Sequence, residues 1–198
     1  MTKGNNISHK NKLYRGAKPA RKVAVFDIDG TIFRSSLLIE LVEQLISRGI
    51  FPRTAARMYA EDYRNWLDRK DSYEKYILAV VRAFEKHIKG VNEKDFLKVV
   101  RRVNELHHDR AYRYTRNLVR KLKRRNYFLL AISHSPKYIV EGFAKQMGFN
   151  KVYGRYLELD KRGRFTGKTL HLDVINNKAH VLARAVEKEK LTLRGSWG

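Results

Sequence analysis

The chain has 198 residues, 43% of them hydrophobic, and carries 43 Lys and Arg against 20 Asp and Glu, for a formal charge of +23. That length holds one domain with room for a modest insertion, and the charge attracts polyanions and phosphorylated compounds without selecting among them. The absence of cysteine excludes disulfides and thiolate metal sites; no apolar run approaches the ~18 residues of a membrane span, and no apolar core follows the basic N-terminus as a secretory signal requires, so a reducing cytoplasm is the expected home.

Residues 1–21 contain Lys3, Lys10, Lys12, Arg15, Lys18 and Arg21 and no acid, with Gly, Asn and Ser between them. They read as a disordered basic tail. Lys22-Val-Ala-Val-Phe26 is a short Val-rich run, the pattern of a buried strand. Residues 35–48 place Leu37, Leu38, Leu41, Val42, Leu45 and Ile46 on one helical face, closed by Gly49 and Pro52. The helical period continues to residue 106. Tyr73, Tyr76, Ile77, Val80, Val81 and Phe84 form one stripe; Phe96, Val99, Val100, Val103 and Leu106 form another. The spacing predicts a helical insertion over 35–110.

Residues 112–125 read as a basic helix, and Tyr127-Phe-Leu-Leu-Ala-Ile132 as a second buried strand. Ser133-His-Ser-Pro136 is expected to be a loop that opens a helix, with Pro136 in its first turn. Ile139, Val140, Phe143 and Met147 give that helix its buried face, and Gly148 ends it. Lys151 to Leu159 is strand-like, with Arg164-Phe-Thr166 returning as a hairpin. Asn176 or Asn177 caps a last helix carrying Val181, Leu182 and Ala185. Strands alternating with helices predict an α/β fold, a Rossmann-like, mainly parallel sheet, whose ligands gather at the carboxyl ends of the strands.

Asp27 and Ser133 each stand just past a predicted strand, so both belong to that edge. Two carboxylates, Asp27 and Asp29, lie two residues apart. A carboxylate can attack phosphorus, a second can move the protons of the leaving group and of water, and Mg²⁺ takes such hard oxygen ligands. Gly30 permits the tight turn, and Thr31 offers a hydroxyl and an N–H.

Asp27-Ile-Asp-Gly-Thr31 behind a Val-rich strand resembles the first motif of haloacid dehalogenase (HAD) superfamily phosphatases, of the phosphoserine-phosphatase-like branch (subfamily IB). The resemblance covers residues 22–198. It implies a Mg²⁺-dependent phosphomonoester hydrolase working through an aspartyl-phosphate. Asp27 would be nucleophile and metal ligand. Asp29 would be general acid and base, lending the metal its backbone carbonyl. Ser133 matches the second motif and would hold a phosphoryl oxygen. Lys178, in Asn176-Asn-Lys-Ala179 after Phe165-Thr-Gly-Lys168, matches the third and would neutralise nucleophile and phosphoryl group. Gly30, Thr31 and His134 would line the substrate site. The core would comprise 22–34 and 111–198, and the helical cap 35–110 would close over the site and choose a small phosphorylated substrate.

Two departures accompany the resemblance. The fourth motif, a Gly-Asp and a further Asp that complete the metal site, is not found. Leu191 to Gly198 stands about where its strand should begin, so Val23 to Phe26 is expected on an open sheet edge. Phosphoserine phosphatases also carry an acid shortly after the first motif to hold the substrate amine. Ser36 stands there instead, with Glu40 one turn on, which argues against phosphoserine. The other histidines lack ligand spacing: His107 and His108 are neighbours that point about 100° apart on a helix, and His87, His171 and His180 have no partner. The Arg110–Arg125 stretch, interleaved with Tyr112 and Tyr114, offers a nucleic-acid partner as a second reading, set against an ordinary solvated face behind Leu118, Val119 and Leu122.

Overall fold

The computed structural model describes residues 20–170 and 177–198. The expected tail up to residue 19, and the positions of His171 and Asn176, lie outside the described residues. Arg21, expected as the end of the tail, instead opens the first strand, where its guanidinium donates to the carbonyls of Asn126 and Tyr127.

Five strands form one sheet in the order β4-β3-β2-β1-β5: β1 (Arg21–Phe26), β2 (Phe128–Pro136), β3 (Lys151–Leu159), β4 (Phe165–Leu170) and β5 (Leu191–Trp197). β1 pairs parallel with β2, Val23 opposite Phe128 through Phe26 opposite Ala131, and β2 pairs parallel with β3. β4 returns antiparallel on β3. Asp160 makes that turn, its Oδ1 accepting the N–H groups of Arg162 and Arg164.

The open edge expected beside β1 is not there. β5 lies parallel against it, with Arg21 opposite Leu191 and Ala24 opposite Trp197. β1 is therefore an inner strand. β2 also runs further than expected. Ser133 to Pro136 is extended strand rather than loop, because Pro136 still pairs with Arg155 of β3, and the helix begins only at Lys137.

Alternation along the strands divides the core. Val23, Phe128, Leu130 and Ile132 face one side with Val181, Ala185 and Leu191. Ala24, Phe26, Leu129 and Ala131 face the other, where the larger cluster lies. The first side is covered by α7 (Lys178–Lys188). On the second, α6 (Lys137–Met147) packs through Ile139, Val140, Phe143 and Ala144. α5 (Arg113–Arg124) buries Val119 and Leu122 and turns Arg113, Arg120, Lys121, Lys123 and Arg124 to solvent, with Arg116 part buried.

Between β1 and α5 the chain is helical: α1 (Leu37–Ser47), a 3-10 turn (Arg53–Met58), α2 (Ala60–Leu67), α3 (Tyr73–Ile88) and α4 (Glu93–His107). The Ser36, Ser72 and Asn92 side chains cap α1, α3 and α4 by accepting first-turn N–H groups. The segments entering and leaving this helical unit are bonded to each other, Arg34 N–H to the Arg110 carbonyl at 3.1 Å and Tyr112 N–H to the Ile32 carbonyl at 2.8 Å. Glu40 ties the same place together: its carboxylate takes Arg110 at 2.6 Å and His107 at 3.2 Å. The β3–β4 hairpin packs on α4 from the other end, Phe165 lying edge-on to Phe96 with ring centroids 4.9 Å apart.

Candidate active site

The chain leaves β1 with Ile28 wholly buried, so Asp27 and Asp29, one residue to either side, share the opposite direction. The turn that follows is closed on the Ile28 carbonyl, which accepts from Thr31, Ile32 and Phe33. Gly30 takes φ +74°, a conformation that disfavours a side chain, and its N–H lies within 3.0 Å of both the Phe33 and Ser35 carbonyls.

Asp29 meets β2 and α1 at once. Its Oδ2 accepts the hydroxyls of Ser133 and Ser135, each at 2.8 Å, and its Oδ1 accepts the Leu37 N–H at 2.7 Å. Ser133 is fully buried and also accepts the Ser135 N–H at 3.0 Å. Burial pushes the Asp29 carboxyl above its ordinary range; the Leu37, Ser133 and Ser135 bonds oppose that shift, and the Asp27 charge adds to it. Three of its four lone-pair directions are used, which leaves one on Oδ1 where a proton can be held.

Lys178 opens α7, whose first turn is capped by Asn177 accepting the His180 N–H. Its Nζ stands 3.0 Å from Asp27 Oδ1, both side chains being more than a third exposed. Asp27, Asp29, Ser133 and Lys178, named separately from the sequence, thus form two pairs, Asp27 with Lys178 and Asp29 with Ser133, whose carboxylates both line one cavity. Gly30 and Thr31 are not brought into either pair, since their N–H groups serve the turn.

A cavity of about 220 Å³ opens over the carboxylates. Asp27, Asp29, Ser135 and the exposed His134 form its floor, with Ser36 at one side. Leu38 of α1 and Tyr73, Ile77 and Val81 of α3 form the facing wall. Sequence reasoning missed Ser135, which strand alternation from Ser133 would have found. It also merged two stripes of α3. Tyr76, Val80 and Phe84 are at most 3% exposed and belong to the core, while Tyr73, Ile77 and Val81 face the cavity. Burial raises the Tyr73 phenol above its ordinary range, with the Asp29 and Glu40 charges adding to the effect.

No group of three His, Asp or Glu gathers to hold a metal among the described residues. Asp29 has little carboxylate left to offer, being bound by three donors. What fits Mg²⁺ is the sparse set of the Asp27 carboxylate and the Asp29 backbone carbonyl, the remaining ligands coming from phosphate and water, which this ion accepts readily.

The fold is an α/β, Rossmann-like, mainly parallel sheet with the site at the carboxyl ends of its strands, and comparison makes the class specific. Residues 24–198 match the family model of haloacid dehalogenase-like hydrolases. The chain belongs to that family. No curated protein matches it. Among solved structures, a protein of unknown function from Bordetella pertussis Tohama I is similar at TM-score 0.61 and 13% identity, over 89% of this chain and 79% of that one. A phosphoserine phosphohydrolase-like protein from Francisella tularensis subsp. tularensis SCHU S4 is similar at TM-score 0.57 and 12% identity, over 84% and 73%. A substrate-bound phosphoserine phosphatase complex is similar at TM-score 0.55 and 17% identity, over 89% and 75%. At these identities the likeness is one of fold. No described helix is long and apolar enough to cross a membrane.

Proposed function

We propose that the chain is a Mg²⁺-dependent phosphomonoester hydrolase acting through an aspartyl-phosphate on Asp27, with residues 35–110 as its cap and 22–34 with 111–198 as its core. The observation that supports this is the meeting of Asp27 with Lys178 at 3.0 Å, beside an Asp29 held by Ser133 and Ser135, under a cavity of small-molecule scale.

An Asp27 carboxylate oxygen attacks the phosphorus of a small phosphomonoester, and the bond from phosphorus to the leaving oxygen breaks. Asp29, whose proton burial favours, gives that proton to the leaving oxygen. Water then attacks the phosphorus of the aspartyl-phosphate and passes a proton to Asp29, releasing inorganic phosphate and restoring Asp27. Lys178 offsets negative charge on Asp27 and on the phosphoryl oxygens. The Ser133 hydroxyl, which donates to Asp29 here, would turn to hold a phosphoryl oxygen. Mg²⁺ would be held by the Asp27 carboxylate and the Asp29 carbonyl and would supply further neutralisation of phosphoryl charge. Such transfer asks mainly for positioning and electrostatics.

The test is hydrolysis of p-nitrophenyl phosphate by the chain with Mg²⁺ and with EDTA, beside Asp27→Asn. The expected result is Mg²⁺-dependent turnover that falls by about 10³-fold or more in the variant, as loss of a nucleophile does. Turnover that survives Asp27→Asn, or none from the folded chain, would overturn the reading.

A further inference from the structure

We propose that this site selects phosphomonoesters whose leaving group is apolar and uncharged, an alkyl chain or an aromatic ring, over those bearing an amine or carboxylate. The inference rests on the functional reading above, and deepens it from the wall that faces Asp27.

Tyr73, Ile77 and Val81 are spaced i, i+4, i+8, one stripe of α3. Ile77 and Val81 are partly buried, packing on the core along one side and lining the cavity along the other, while the adjacent Tyr76, Val80 and Phe84 lie wholly inside the core. Tyr73 remains 39% exposed. Leu38 extends the same apolar surface from α1. The chain carries 43 basic residues, yet among the described residues no Lys or Arg lines this cavity, and the only acids that do are Asp27 and Asp29. A substrate carboxylate therefore meets no cation on the wall, and a substrate amine meets no anion there.

Neighbouring acids do not supply one. Glu40 is held by Arg110 and His107 and is nearly buried. Glu43, on the same helix, is exposed and does not line the cavity. Ser36 stands at the entrance of α1 with its oxygen accepting the Leu38 N–H. A charged leaving group would lose water on this wall and gain no partner, whereas an apolar one loses contact with water and gains dispersion contact.

The test compares hexyl phosphate with O-phosphoserine and phosphoethanolamine, each of which releases a primary alcohol whose oxygen Asp29 protonates. The expected kcat/KM for hexyl phosphate is about tenfold higher, the ratio that burial of about two methylenes gives. Val81→Asp, which sets an anion on the wall, should lower that ratio, chiefly by raising kcat/KM for phosphoethanolamine. Calorimetric binding of hexylphosphonate, 2-aminoethylphosphonate and inorganic phosphate to the unmodified chain reads the wall without turnover. Tighter binding of hexylphosphonate than of the other two with no hydrolysis of any ester upholds the wall and removes the hydrolase reading. Hydrolysis of the amine-bearing esters at equal or higher kcat/KM overturns the wall and leaves the hydrolase reading in place. Equal binding of all three ligands overturns the wall whether or not turnover is seen.

Discussion

The floor and the wall of the cavity are built on opposite terms. The floor gathers at the ends of β1 and β2, with Lys178 of α7 against Asp27, and its Asp29 is nearly saturated, taking three donors. The wall draws on one stripe of α3 with Leu38, has no charge, and leaves Tyr73 part exposed. Positions on the floor follow from sheet register, which one residue of slip would destroy. Positions on the wall follow from helical spacing and tolerate change of side chain. Chemistry common to all substrates belongs on the first kind of support, and discrimination among substrates on the second.

That contrast is sharpest in Lys178→Met. Loss of the cation beside Asp27 should cut turnover of every phosphomonoester by about 10²–10³-fold, the usual cost of removing one electrostatic donor. The ratio between hexyl phosphate and phosphoethanolamine should stay within about twofold, by the same argument that uniform losses leave specificity unchanged. A ratio that moves with Lys178 would mean that floor and wall are not separable.

Within the floor, the two serines are expected to differ. Ser133→Ala removes a donor from Asp29 and strands the buried Ser135 N–H, so it should cost about 1–3 kcal/mol of stability. Ser135→Ala removes only a donor and should cost about 0.5–1.5 kcal/mol. Urea midpoints at constant slope measure both. Equal losses would contradict the saturated arrangement. Each variant should also move the Asp29 titration further upward, because each removes a bond that favours the ionised form.

The floor was largely legible in the sequence because its residues announce themselves: Asp27-Ile-Asp-Gly-Thr31 follows a Val-rich strand, and Lys178 follows an Asn that caps a helix. Three features were not legible, each for a physical reason. β5 has no apolar run; Leu191 is its only buried residue and Leu193 and Trp197 are about half exposed, so backbone pairing with β1 makes the strand rather than side-chain burial. Ser133-His-Ser-Pro136 has turn composition, and only pairing with Arg155 keeps it extended and turns Ser135 toward Asp29. On α3, the core stripe and the cavity stripe are adjacent. A period of 3.6 residues widens one apolar face without saying what lies against each half.

The smallest expected effect concerns what the floor costs the fold. Asp29 binds its proton more tightly in the folded chain than in the unfolded one, since its carboxyl is raised chiefly by burial. The folded state therefore loses stability as pH rises from the ordinary carboxylate range, near 3.8, through the raised value, and the penalty is fully present above it. Asn at this position keeps an oxygen for the Ser133 and Ser135 hydroxyls and carries no charge to bury, while giving up the Leu37 N–H bond, which its NH2 group would face. Asp29→Asn, measured in EDTA, should melt a few degrees higher than the unmodified chain at neutral pH, a few degrees being about 1 kcal/mol for a domain of this size. The difference should shrink as pH falls toward the ordinary carboxylate range. A variant that melts lower at neutral pH would mean that the three hydrogen bonds to ionised Asp29 outweigh its burial. The wall offers no such trade: it holds no titrating carboxylate, and Val81→Ala should leave the pH dependence of stability unchanged. A floor that destabilises the fold beside a wall that does not is the pattern expected where strain is confined to the groups that do chemistry.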